Sequence, residues 1–68
     1  MDKIPVRSYP SYEMIKIIEA DGWRFKNSEG DHHHFVHSVK PGKVTIPHPV
    51  KNLPKKIVGK ILKQAGLR

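Results

Sequence analysis

The absence of cysteine from a chain of only 68 residues narrows what it can fold into more than any other feature. So short a chain buries only roughly 60% of the surface that its unfolded form exposes, and small domains commonly make up the difference with disulfides or thiolate-bound zinc. Both devices are excluded here, so the fold has to rest on one core built from apolar faces, with no second domain for a separate site. A thiol-free chain suits a reducing compartment, and a cytoplasmic location is the expectation. No apolar run approaches the roughly 18–20 residues that a membrane span requires. Met1-Asp2-Lys3-Ile4-Pro5 also lacks the apolar stretch of a secretion signal.

The periodicity of the apolar residues then sets out the elements. Residues 1–10 contain two prolines and no period, so they read as an extended arm outside the domain formed by residues 11–68. Ser11 is placed to cap a helix running through Ala20, with Met14, Ile15, Ile17 and Ile18 on its buried stripe and Glu13, Lys16 and Glu19 in water. Asp21-Gly22 ends it. Trp23 to Asn27 alternates aromatic with polar side chains, which predicts a strand with Trp23 and Phe25 turned to the core.

After a turn at Ser28–Asp31, His32 to His37 reads as a second strand. Lys40-Pro41-Gly42-Lys43 is a tight-turn signature leading into a third strand over Lys43–Ile46, which Pro47 and Pro49 stop. Pro54 suits the first position of a last helix, whose buried face is Ile57, Val58, Ile61, Leu62 and Ala65, with Lys55, Lys56, Lys60 and Lys63 outside and Gly66 closing it. The predicted fold is α+β in the order α-β-β-β-α, a three-stranded antiparallel sheet covered on one face by two helices.

Four of the five histidines fall within six positions, at His32, His33, His34 and His37. Side chains of one parity share a face of a strand, so His32 and His34 lie on one side and His33 and His37 on the other. Two imidazoles on a face are too few for a tetrahedral metal site unless His48 or Asp31 joins them, and adventitious metal binding is the commoner outcome of such a run. Acid–base chemistry needs only one exposed imidazole, which can take the proton from a ribose 2′-hydroxyl and let that oxygen attack the adjacent phosphate. The bland alternatives are packing and hydrogen bonding on the sheet, with Asp31 a solvated turn residue and His48 packed on a proline.

Thirteen Lys and Arg against six Asp and Glu give a formal charge of +7. The lysine density rises after residue 39, whereas Met1 to Asp31 is close to neutral, so the positive field belongs to the C-terminal half. Such a field attracts nucleic acid or an acidic protein, and in either case it also serves solubility. Lys26, Lys40 and Lys43 are the positions chosen for phosphate contact, by their place on the sheet edge and turn. A catalytic ribonuclease, a non-catalytic RNA-binding module and a protein-interaction domain all remain compatible with this charge.

One succession of motifs is more specific. Gly22-Trp23 after the first helix, Gly30-x-His32-His33-His34-Phe35, Lys40-Pro41-Gly42-x-Val44-Thr45-Ile46-Pro47-His48-Pro49, Leu53-Pro54-Lys55 and the closing Ile61-Leu62-Lys63-Gln64-Ala65-Gly66-Leu67 together resemble the HicA family of bacterial toxins over about residues 11–68. The resemblance implies a double-stranded-RNA-binding-domain-like fold and an mRNA interferase, a ribonuclease that cleaves messenger RNA and halts translation without a metal. It implies that His32 is the catalytic residue, since the family's histidine directly follows a Gly-Ser or Gly-Gly pair. It also implies a HicB-like antitoxin that covers this site, so that the chain is monomeric when free and hetero-oligomeric with its antitoxin. Asp31 departs from the family pattern, placing a carboxylate where serine or glycine is usual, with two expected effects open: to favour the charged form of the imidazole, or to repel an approaching phosphate.

Overall fold

The computed structural model describes residues 4–68, so Met1–Lys3 of the arm lie outside the described residues. Its element order is α1 (Ser11–Ala20), β1 (Trp23–Glu29), β2 (His32–His37), β3 (Lys43–Pro47) and α2 (Lys55–Gln64). The three strands form one antiparallel sheet in the order β1-β2-β3. This is the α+β arrangement the periodicity predicts.

Both helices begin in the same way, because Tyr9-Pro10 precedes α1 and Leu53-Pro54 precedes α2. Each proline is an N-cap residue in extended conformation with no side-chain cap. Tyr9 and Leu53 pair as an isolated antiparallel bridge, Tyr9 N–H donating to the Leu53 carbonyl at 3.3 Å and Leu53 N–H to the Tyr9 carbonyl at 2.7 Å. A single bridge therefore anchors both helix entries. Tyr9 is buried, and its hydroxyl donates to the Pro5 carbonyl at 2.8 Å. The arm thus packs on the domain and supplies a core residue, although one anchor every several positions shows no period in the sequence.

Ser11 does not cap α1. It is the first helical residue, buried, with its hydroxyl turned to His48 and Val50. Pro54, likewise, stands one position before the helix, as its N-cap. The core itself follows the predicted stripes: Met14 and Ile18 from α1, Val58, Ile61, Leu62 and Ala65 from around α2, and Trp23, Phe35, Val44 and Ile46 from the sheet. Ile15, Ile17 and Ile57 are partly buried against it.

Phe25 departs from expectation, being 53% exposed. Its face is the predicted one, since it pairs with buried Phe35. However, β1 is an edge strand, and the helical layer covers only its first residue, Trp23. A bulge between Phe25 and Asn27 then shifts the register of the rest of the strand.

The helices' C-terminal ends meet at the far end of the sheet from the His32 turn. Trp23 Nε1–H donates to the Ala65 carbonyl at 3.3 Å, and Lys40 Nζ donates to the same carbonyl at 3.0 Å and to the Asp21 carboxylate. His37 completes the junction: its Nδ1 accepts the backbone N–H groups of Val39 and Lys40, both at 3.0 Å, which leaves Nε2–H to donate to the Asp21 carbonyl at 2.7 Å. Gly22, at φ 101°, passes so close to this ring that a Cβ would lie 2.8 Å from His37 Nε2.

Removing either anchor of this junction should show in stability rather than in local chemistry. Trp23→Ala is expected to cost about 3–5 kcal/mol, and Lys40→Met, which leaves the Asp21 carboxylate without its cation and the Ala65 carbonyl with Trp23 alone, about 1–2 kcal/mol. Urea denaturation followed by far-UV circular dichroism measures both.

Candidate active site

The helices cover one face of the sheet, and the other face is open. Strand register arranges its side chains in three cross-strand rows. Glu29, His32 and Pro47 form the row beside the β1–β2 turn; Asn27, His34 and Thr45 form the next; Arg24, Val36 and Lys43 form the last. His32 and His34 share this face, while His33 and His37 lie on the helix side, as strand parity predicts.

The turn that presents His32 needs glycine. Gly30 adopts φ 58°, a left-handed conformation that a Cβ disfavours although nothing within 4 Å would obstruct it. Asp31 is exposed, and its carbonyl accepts His48 N–H at 2.7 Å, fixing the turn against the end of β3. His32 follows as the first residue of β2, fully in the exposed class.

The histidines differ in how their ring nitrogens are used. Both nitrogens of His37 are occupied at the helix junction. His34 is 8% exposed, with Nε2 donating to Glu29 Oε1 at 2.8 Å and Nδ1 2.9 Å from Thr45 Oγ1. Because a carboxylate only accepts, Nε2 carries a proton, and in the neutral ring Nδ1 accepts from the Thr45 hydroxyl. Glu29, His34 and Thr45 thus join all three strands by side chains beneath His32. His48 Nδ1 is taken by Ser11 Oγ at 2.6 Å, and its ring stands perpendicular to His33. Neither ring nitrogen of His32 is taken up among the described residues, which leaves it the free imidazole of the open face.

The lysines chosen from the sequence separate. Lys26 is exposed at the bulge of β1, and Lys43 is exposed at the start of β3 in the last row of the open face. Lys40 lies away from His32, with its ammonium held by Asp21 and the Ala65 carbonyl. The structure brings forward Arg24 instead, which flanks Val36 opposite Lys43. The alternation of Trp23-Arg24-Phe25 already put Arg24 on the face opposite Trp23; its importance was hidden until the register set it across from Lys43. Four residues separate Lys43 from the position opposite His32, or about 13 Å at strand rise, so these cations address a different part of a bound chain from the one at His32. No Asp or Glu follows Asp31 in the sequence. Among the described residues, no group of three or more His, Cys, Asp or Glu is placed to hold a metal ion, and no helix is long and apolar enough to cross a membrane.

Comparison with protein families matches residues 11–67 to the family described as HicA toxin of bacterial toxin–antitoxin systems. A search of curated proteins finds no match. The match spans every helix and strand of the structure and begins at the buried Ser11.

His34→Ala is expected to lower stability by about 1–2 kcal/mol by cutting the side-chain link between the strands, and Thr45→Val by less. Chemical denaturation of the three proteins side by side checks the order.

Proposed function

Because the chain belongs to the HicA family of toxins of bacterial toxin–antitoxin systems, we propose that it is an endoribonuclease that cleaves messenger RNA, with His32 as its acid–base residue. The observation that supports this reading most directly is the contrast among the histidines: on the open face His34 is locked between Glu29 and Thr45, whereas His32 stands exposed beside the turn with its ring nitrogens untaken among the described residues.

Such an imidazole suits transphosphorylation. It takes the proton from a ribose 2′-hydroxyl, the O2′–P bond forms, the P–O5′ bond breaks, and a proton is returned to the departing 5′-oxygen. The products are a 2′,3′-cyclic phosphate and a 5′-hydroxyl. The RNA itself supplies the nucleophile, so the protein's task is to place one phosphate beside His32 and hold the rest of the backbone. Arg24 and Lys43 are the open-face cations for the second task, and Lys26 flanks them on the edge strand. Lys40, chosen from the sequence for the same role, is held instead by Asp21 and the Ala65 carbonyl at the helix junction. Asp31 is an exposed carboxylate adjacent to His32 in the chain, so its substitution by serine, which removes a negative charge near the approaching phosphate, should raise the rate of cleavage.

The partner belonging to this reading is a HicB-like antitoxin that covers the open face. An acidic surface opposite Arg24 and Lys43 would meet it with favourable charge.

Induction of the wild-type chain in a bacterial host is expected to arrest growth and cut a reporter mRNA, and His32→Ala to do neither. Cleavage by both proteins would remove His32 from its role, and cleavage by neither would favour a module that only binds RNA. On a single-stranded RNA, Arg24→Gln and Lys43→Gln are each expected to flatten the dependence of log affinity on log salt by roughly 0.7, read by fluorescence anisotropy across a salt series.

A further inference from the structure

On the helix side of the sheet lies a cleft of about 330 Å³ lined by Ile15, Glu19, Phe25, His33, Phe35 and His48, which extends from His33 and His48 near the His32 end towards the last turn of α1 at Glu19. Its aromatic side chains are ordered against one another. The Phe25 ring stands edge-on to Phe35 with centroids 5.9 Å apart and tilted to His33 at 5.5 Å, yet 53% of the residue is exposed. His48 is perpendicular to His33 at 5.1 Å and is held from behind. Val50 N–H donates to Ser11 Oγ at 2.8 Å, and the same hydroxyl lies 2.6 Å from His48 Nδ1, so one side of the imidazole is fixed. His48 Nε2 is taken up by no group among the described residues and is free to donate or to accept according to the tautomer. Glu19, exposed on the last turn of α1, adds a carboxylate acceptor.

An open aromatic platform, a free imidazole nitrogen and a carboxylate acceptor around a volume of this size suit a flat heteroaromatic ring with polar edges. The strongly basic C-terminal half selects a polyanion as the molecule carrying that ring. Continuity with the His32 turn places it: the His48 backbone N–H that anchors the cleft wall donates to the Asp31 carbonyl at 2.7 Å. A strand with one phosphate at His32 reaches the cleft by rounding the end of the sheet.

We infer that this cleft takes one unstacked nucleobase of a bound single-stranded RNA, with Phe25 as its stacking platform and Glu19 as the reader of its N–H edge. Sequence-specific recognition of RNA commonly works on splayed bases stacked on aromatic side chains. Guanine fits best, since its N1–H and N2–H donors lie side by side as the two oxygens of a carboxylate do. The inference rests on the reading that RNA is what this chain binds, and it makes the cleft a determinant of where the RNA is cut.

The test uses the full chain carrying His32→Ala, so that RNA stays intact, and fluorescent pentauridylates whose central base is replaced by guanine, adenine, cytosine or hypoxanthine. The guanine oligomer is expected to bind tightest, with hypoxanthine, which lacks the 2-amino group, weaker by about fivefold or more. Adding Phe25→Leu, which keeps apolar bulk without a ring, should weaken every oligomer by about fivefold or more and leave the affinity for inorganic polyphosphate unchanged. Adding Glu19→Gln should erase the preference for guanine. Indifference of oligomer binding to both substitutions, or an equal loss for polyphosphate, would overturn the proposal. Cleavage by the wild-type chain is scored separately: base-dependent binding without cleavage would sink the ribonuclease reading alone, and cleavage without base-dependent binding would sink the cleft alone.

Discussion

Two ten-residue helices, each about 15 Å long at helical rise, are all the cover this chain has for a three-stranded sheet. That constraint shapes the rest. The helices can bury one face only, so the other must be tolerable to water, and it is made of Arg24, Asn27, Glu29, His32, His34, Lys43 and Thr45 with Val36 and Pro47 among them. Even on the covered side the layer runs out at the edge strand, where Trp23 is buried and Phe25 is not. The open face and the uncovered rim are the two places where a small core leaves chemistry accessible. They hold the free imidazole and the aromatic cleft respectively.

The layer is kept in place at its two ends by different means. At the helix entries the device is backbone pairing, Tyr9 with Leu53, each followed by a proline that sets an extended entry into its helix. At the helix exits it is a polar junction in which Lys40, His37 and Trp23 satisfy carbonyl and carboxylate groups that would otherwise face one another. A cation used in this way is committed to the fold. The excess of positive charge therefore overstates the number of side chains free to meet an anionic partner.

Element order, both buried helix stripes and the sorting of histidines onto faces were legible in the sequence, because each follows from a period. What escaped was set by contacts between elements. Parity assigns Phe25 to the core face, but coverage depends on where a helix ends. Ser11 has the right chemistry for a cap and uses it instead to tie His48 and Val50 to α1. Tyr9 is a core residue without neighbours of its own period. Of the candidate site, the placing of His32 and His34 on one face was legible from strand parity, and the chain's membership of the HicA family rests on the match over residues 11–67. Arg24 and the Glu29–His34–Thr45 link required the register, since a bulge at Lys26 decides which side chains of β1 stand opposite those of β2.

That link bears on a peculiarity of β2. Three consecutive imidazoles, His32, His33 and His34, leave the strand open to a slip by one residue: with His33 moved to the place of His32 a histidine would still occupy the exposed position, but every side chain would change faces. The ambiguity is removed one place inward, where only His34 finds Glu29 on one side and Thr45 on the other. Which of three chemically identical groups stands exposed is accordingly decided by its neighbour's partners, and the buried histidine acts as the register mark for the exposed one.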